Sequence, residues 1–227
     1  MVVVERSEVK STVSWPILHT SSTVFLVGAG PATSAVIQST AAYADTVVAA
    51  DGGFQSARAA SLDVALVVGD MDSQTDWPAA QAIAKIDDQE TTDFEKCLRV
   101  CAADIFLGVG FLGGRLDHQL AAFSALLKEP RPVVLIDEDQ LVFVVPMQFQ
   151  MDLEANSPLG FYPMLPVQVT LEGVQWPLQD VEMHPTGQIA TSNMSNGELL
   201  HVQVDGPGLL AIMPACHLSS VLEALRN

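Results

Sequence analysis

Between residues 23 and 145, short apolar runs alternate with helix-forming stretches, and this alternation narrows the fold more than any other feature of the chain. Residues 23–27, 46–50, 65–68, 105–109, 133–136 and 141–145 have the length and β-branched content of buried strands. Between them, 32–43, 54–60, 77–84, 92–102 and 117–127 read as helices. Strand–helix alternation predicts an α/β fold, with a mainly parallel sheet flanked by helices. After Pro146 the texture changes. Prolines 158, 163, 166, 177 and 185 break any long helix. The β-like pieces 167–171, 188–191, 199–204 and 209–213 remain, with a terminal helix over 218–226. A boundary at residue 146 therefore divides an α/β domain (1–146) from a small antiparallel β-domain (147–227).

Composition removes several classes of function. With 49% hydrophobic residues the 227-residue chain can fill a core, and its formal net charge of −17 repels nucleic acid and anionic membranes. An anionic nucleotide is repelled too unless a metal and a few placed cations neutralise it. No run reaches the roughly 18 apolar residues of a membrane helix, and residues 1–10 lack the apolar centre of a signal peptide. Three cysteines without an export signal fit a reducing cytoplasm. Cys97 and Cys101 share a helical stripe with Phe94 and Leu98, so core packing is expected of them rather than metal binding.

The chemistry gathers at predicted strand ends, where ligands of open α/β sheets bind. Gly69-Asp70-Met71-Asp72-Ser73 follows strand 65–68. In extended backbone residues two apart face one side, so Asp70 and Asp72 should converge and hold a hard divalent cation, Mg²⁺ above all. The same pair also fits a capped turn or the metal site of a nucleotide-sugar transferase. Ala50-Asp51-Gly52-Gly53 follows strand 46–50 and suits phosphate at a helix start, or simply a turn with Asp51 as cap. In Asp88-Gln89-Glu90-Thr91-Thr92-Asp93, either threonine can cap the next helix, and Asp93 stands beside Lys96, off the core stripe. Gly113-Gly114-Arg115-Leu116-Asp117-His118 offers a guanidinium fork for phosphate oxygens, or a helix cap with a salt bridge. That segment leads into a helix through Leu120, Phe123 and Leu127. Gly28-Ala29-Gly30-Pro31-Ala32-Thr33 lacks the third glycine of a dinucleotide fingerprint, so it reads as a strand-to-helix turn with Pro31 at the first helical position. Gly108 to Arg115 has no Walker lysine.

Taken in order, ADGG at 50–53, GDMDS at 69–73, DQETTDFEKCL at 88–98, GGRLDH at 113–118 and Thr191-Ser192-Asn193 resemble the thiamin pyrophosphokinase family. The resemblance spans about residues 23–213. It implies a Rossmann-like catalytic domain, a C-terminal β-sandwich, and a homodimer with sites near the subunit interface. The implied reaction is Mg²⁺-dependent transfer of pyrophosphate from ATP to thiamine, giving thiamine diphosphate and AMP. By the same resemblance Asp70, Asp72 and Asp93 hold Mg²⁺ with Asp117 nearby, and Lys96 and Arg115 bind the transferred diphosphate. Asp51, Gly52, Gly53, Gln89 and His118 contact substrate, and Thr191, Ser192 and Asn193 meet thiamine. Asp93, Asp117 and His118 are candidates for the base that deprotonates the thiamine hydroxyl. Glu90 and Met194 depart from the family pattern, the latter where some relatives carry an aromatic group for which Trp176, Phe161 or a group from the other subunit could substitute. Competing functions are a related pyrophosphokinase, a glycosyl or nucleotidyl transferase using its DxD, and a thiamine binder without turnover.

Overall fold

The computed structural model describes residues 16–19, 22–73 and 78–226. Two compact units emerge, Met1–Glu138 and Asp139–Asn227, giving a mixed α/β protein. The first contains β1 (Leu18–His19), β2 (Thr23–Val27), α1 (Ser34–Ala41), β3 (Thr46–Ala50), α2 (Gly53–Ala59), β4 (Leu66–Gly69) and β5 (Ile83–Lys85). It continues with α3 (Asp93–Val100), β6 (Cys101–Ala102), β7 (Ile105–Val109), α4 (Leu116–Lys128) and β8 (Val133–Ile136).

Its main sheet is parallel, in the order β8-β7-β2-β3-β4-β5. Parallel strands are covered on both faces, which explains their unbroken apolar runs. Phe25, Leu26, Phe106, Leu107, Val134 and Leu135 are all fully buried. From β2 the chain builds outward through β3, β4 and β5, then returns to place β7 on the other side of β2. The loops after β2 and β7 therefore part in opposite directions, opening a crevice at the carboxyl ends of the strands.

Two local expectations are corrected. No helix occupies the described part of 77–84 (Trp77 lies outside the described residues); Ile83 and Ala84 are buried in β5, paired with Val67 and Val68 of β4. Pro78 and the shortness of the apolar pair leave no helical face there. Helix α4 forms as expected but buries Ala122, Ala125 and Leu126, while Leu116 and Leu120 are exposed. Its small residues allow close packing, and the leucine stripe faces outward.

The second unit is antiparallel: β9 (Gln140–Val144), β10 (Gln148–Met151), β11 (Pro158–Pro163), β12 (Val167–Glu172), β13 (Leu178–Met183), β14 (Ala190–Met194), β15 (Leu200–Val204) and β16 (Leu209–Pro214), then α5 (Leu218–Arg226). Its strands run in two sets, β14-β11-β16-β9 and β10-β15-β12-β13. The apolar run at 141–145 belongs here, because β9 pairs antiparallel with β16 over five residue pairs. Alternation does the packing: Val167, Val169 and Leu171 of β12 point inward. Phe143 and Phe149 join the two sets at a ring separation of 5.1 Å. Among the described residues no helix is long and apolar enough to cross a membrane.

Candidate active site

A cleft of about 630 Å³ opens at the carboxyl ends of β2, β3, β4 and β7, entirely within the first unit. Its acidic wall is built by adjacency of strands. Ala50 of β3 pairs with Val68 of β4, so the residues leaving the two strand ends emerge side by side. Asp51 N donates to Val68 O at 2.9 Å, and Asp70 leaves β4 next to it. Asp93 opens α3, whose start is fixed by a capping box between Thr92 and Glu95 (Glu95 N to Thr92 Oγ1 3.2 Å, Thr92 N to Glu95 Oε2 3.0 Å).

Asp51, Asp70 and Asp93 bring one carboxylate oxygen each to within 4.8 Å of one another. Asp51 is only 2% exposed; its Oδ2 accepts from Ser73 N at 3.2 Å, while its buried Oδ1 has no hydrogen-bond partner. A desolvated carboxylate oxygen left unpaired is costly unless something cationic meets it. Lys96 supplies one charge: its side chain is 3% exposed and Nζ donates to Asp93 Oδ1 at 2.9 Å.

Asp72 lies at the rim rather than in this triad. Extended backbone would have aligned it with Asp70, but Met71 adopts a left-handed φ of 65° and Asp72 N turns back to Asp70 Oδ1 at 3.2 Å. It lines the cleft, and the negative charge of Asp70, then desolvation and Asp51, holds its carboxyl above the ordinary aspartate range.

Gly69 leaves room for the triad. A Cβ there would stand 2.7 Å from the Asp51 Cβ and 3.2 Å from Asp93 Oδ1. Gly69→Ala is expected to spread the three carboxylates and destabilise the fold by about 1–3 kcal/mol. Thermal unfolding and Mg²⁺ titration check this; unchanged Tm and metal affinity would show that the site tolerates the methyl group.

The opposite wall is glycine-lined. Gly28 N donates to Val109 O (2.8 Å) and Gly30 N to Gly110 O (2.9 Å), and a Cβ on Gly28 or Gly30 would meet the Gly110 carbonyl at 2.5 Å. Pro31 precedes the helix instead of starting it, since Thr33 is the N-cap of α1. The segment is more than the strand-to-helix turn its pattern predicts, for Gly28 to Pro31 line the cleft. Phe111 packs against Phe94 with ring centroids 4.4 Å apart and the rings tilted by 38°, forming an apolar end wall. The paired glycines after an apolar strand were the available signal for the first, and nothing marked the second.

Arg115 and His118 line the outer edge. Arg115 is exposed and grips Asp117 through Nε–Oδ1 (3.1 Å) and Nη2–Oδ2 (2.6 Å). That pairing lowers the Asp117 carboxyl and raises the guanidinium; Asp117 itself does not line the cleft. Gly52 and Gln89 line it, whereas Gly53 is buried against β2 at the start of α2. Asp88 holds the loop that carries Gln89. It accepts from Glu90 N (2.9 Å) and Thr91 Oγ1 (3.0 Å) and pairs with Arg99 (3.5 Å). The Glu90 N–H does most to lower its carboxyl. Glu90 is exposed outside the cleft.

Thr191, Ser192 and Asn193 stand on β14 in the second unit. Leu159 and Phe161 of β11 pair with Asn193 and Ala190, so β14 carries one extra residue, a bulge, with Ser192 at φ 61°. The bulge leaves Thr191 and Ser192 exposed and turns Asn193 inward, to 3% exposure.

Comparison with known proteins places both units. A family model described as "Thiamin pyrophosphokinase, catalytic domain" matches residues 37–135, and "Thiamin pyrophosphokinase, vitamin B1 binding domain" matches 147–209. Thiamine pyrophosphokinase 2 of Arabidopsis thaliana is 28% identical over 172 residues, and Thiamine pyrophosphokinase 2 of Oryza sativa subsp. japonica is 31% identical over 172. Each alignment takes in 65% of this chain and 64% of the relative, so the chain spans less than two thirds of the length of either. Thiamin pyrophosphokinase from Candida albicans superposes with a TM-score of 0.73 at 15% identity, over 88% of this chain and 93% of that one, a likeness of fold.

Proposed function

We propose, from the premise that this chain belongs to the thiamin pyrophosphokinase family, that it transfers pyrophosphate from ATP to the hydroxyl of thiamine, yielding thiamine diphosphate and AMP. The observation that carries this reading is the buried, unpartnered Oδ1 of Asp51 beside Asp70 and Asp93 at the wall of the cleft. Three hard oxygen donors fit Mg²⁺. Bound there, the ion would supply charge neutralisation and alignment of the triphosphate.

The chain's own groups do the rest. Lys96, buried and held by Asp93, faces the cleft as a fixed positive charge for phosphate oxygens. Arg115 presents a guanidinium whose plane Asp117 already orients at the rim. Backbone of Gly28, Gly30 and Gly52 permits close approach of the nucleotide, and Gln89 and His118 offer polar contacts at the mouth. Asp72, at the rim, would meet the phosphate side of the bound ion. The transfer needs alignment and neutralisation, with no protein nucleophile.

The reading includes a Rossmann-like catalytic domain and a β-sandwich vitamin-binding domain, joined between Glu138 and Met147. It includes a cytoplasmic enzyme, in keeping with its free cysteines. It also includes a homodimer, supported by Leu116 and Leu120, exposed at 68% and 49% one helical turn apart on α4. A monomeric mass by light scattering at assay concentration would remove the dimer from this scheme.

The decisive assay couples AMP release to thiamine, with and without EDTA. Expected is AMP and thiamine diphosphate in equal amounts, abolished by chelation and restored by excess Mg²⁺. Turnover that ignores EDTA, or no AMP from thiamine with Mg²⁺ present, overturns the assignment.

A further inference from the structure

Glu138 does not line the cleft, yet it ties down one of the loops that do. Its Oε1 accepts from Thr33 N at 2.8 Å, across 105 residues of chain. Thr33 is the N-cap of α1: its Oγ1 accepts from Val36 N at 3.4 Å and its carbonyl from Ile37 N at 3.1 Å. One residue is thus held from both sides, by the helix that follows it and by the carboxylate that ends the first unit.

Immediately before Thr33 runs the glycine wall. Gly28 N and Gly30 N are tied to Val109 O and Gly110 O. Pro31 has no N–H to offer, so the outer end of the wall takes its position from the tie at Thr33. Pro31 in turn faces the loop on the other side of the cleft mouth. A Cβ on Gly114 would stand 3.1 Å from Pro31 Cδ, and one on Gly113 3.9 Å from its Cγ. Gly113 and Gly114 have φ of 71° and 66° and lead straight into Arg115. Two glycines give a loop little stiffness of its own. Apart from the bond from Gly113 N to Gln119 Oε1 (3.1 Å), Pro31 is what this one rests on.

The Thr33 N–H does most to hold the Glu138 carboxyl below the ordinary glutamate range. A carboxylate would repel the phosphates of a nucleotide, which leaves geometry as its contribution. We propose that Glu138 is a positioning residue for the nucleotide: through Thr33 it seats Pro31, and through Pro31 it sets the glycine wall and the loop that carries Arg115. This rests on the cleft being the nucleotide site of the proposed reaction. The acidic triad stands on the opposite wall and does not depend on this tie.

Three variants separate the tie from the charge. Glu138→Ala is expected to raise the KM for ATP about three- to tenfold, with the KM for thiamine and the Mg²⁺ affinity of the nucleotide-free protein unchanged. Glu138→Gln keeps an acceptor oxygen without the charge and should stay near wild type. Glu138→Asp keeps the charge but is one methylene short, and should behave as the alanine variant does; it also serves in its place should alanine not fold. In a Pro31→Gly background, Glu138→Ala should add nothing to the rise in KM for ATP. The reverse order, with Gln impaired and Asp normal, makes the charge and not the tie responsible and overturns the proposal. So do an unchanged KM for ATP in all three variants, an additive effect with Pro31→Gly, or an equal rise in the KM for thiamine. Calorimetry with ATP and Mg²⁺ keeps this inference distinct from the proposed activity. Nucleotide binding without turnover of thiamine removes the activity and leaves the variant series readable as affinities, whereas no nucleotide binding by the wild-type protein overturns both.

Discussion

Asp51→Asn will raise the Tm of the metal-free protein and at the same time remove most of its Mg²⁺-dependent activity. The introduced amide would keep an oxygen for Ser73 N, the bond Asp51 Oδ2 now accepts. In place of the unpartnered Oδ1 it would put an N–H donor facing the carboxylates of Asp70 and Asp93. Two unit charges 4.8 Å apart repel by about 3.5 kcal/mol at an effective dielectric near 20. Lys96 already offsets part of that. A net gain on the order of 1 kcal/mol, about 2–4 °C in a chain of this size, is expected. Losing one of three hard oxygen donors should cost on the order of 10²–10³ in kcat/KM. Scanning calorimetry in EDTA and the AMP assay across a Mg²⁺ range read the two effects separately. If activity and Mg²⁺ requirement are both unchanged, Asp51 is a turn residue and the ion is held elsewhere.

That prediction could not have been written from sequence, and the reason lies in the backbone. The strands at 23–27, 46–50, 105–109 and 133–136 were legible to the residue, because parallel strands buried on both faces are written as apolar runs. That Asp70, Asp93 and Lys96 would face one cleft was legible from strand ends and helix register. The placing of Asp51 and Asp72 was not. It depends on Ala50 lying opposite Val68 and on the left-handed turn at Met71, and periodicity encodes neither register nor a positive φ on methionine. In the second unit β10, β11 and β13 gave little signal. β13 buries only Met183, and β11 begins and ends on proline, which strands tolerate at their ends but which reads as a breaker. Asn193 was legible as a candidate residue, but its burial was not. Its inward turn is a product of one extra residue in β14, a local count that only the pairing with β11 reveals.

The second large effect is expected at Lys96. Lys96→Met removes the cation that holds Asp93 at 2.9 Å and leaves a methionine of similar length in a site 3% exposed. Packing is largely kept; what is lost is charge. Three carboxylates then share one corner of the cleft with no buried cation among them. Breaking such a pair is expected to destabilise the metal-free protein by about 2–3 kcal/mol, discounted because Asp93 retains 33% exposure. Mg²⁺ should offset this loss, since an ion that binds only the folded state stabilises it in proportion to occupancy. The Tm of Lys96→Met should therefore climb more steeply with Mg²⁺ than that of the wild-type protein. Activity should stay at least about 10²-fold down even at saturating metal, because Lys96 is also read as a fixed charge on the transferred phosphates. The two roles predict opposite responses to added metal, with stability recovering and turnover not. If Mg²⁺ restores turnover together with Tm, Lys96 acts only by neutralising Asp93; if it restores neither, the carboxylates do not hold the ion.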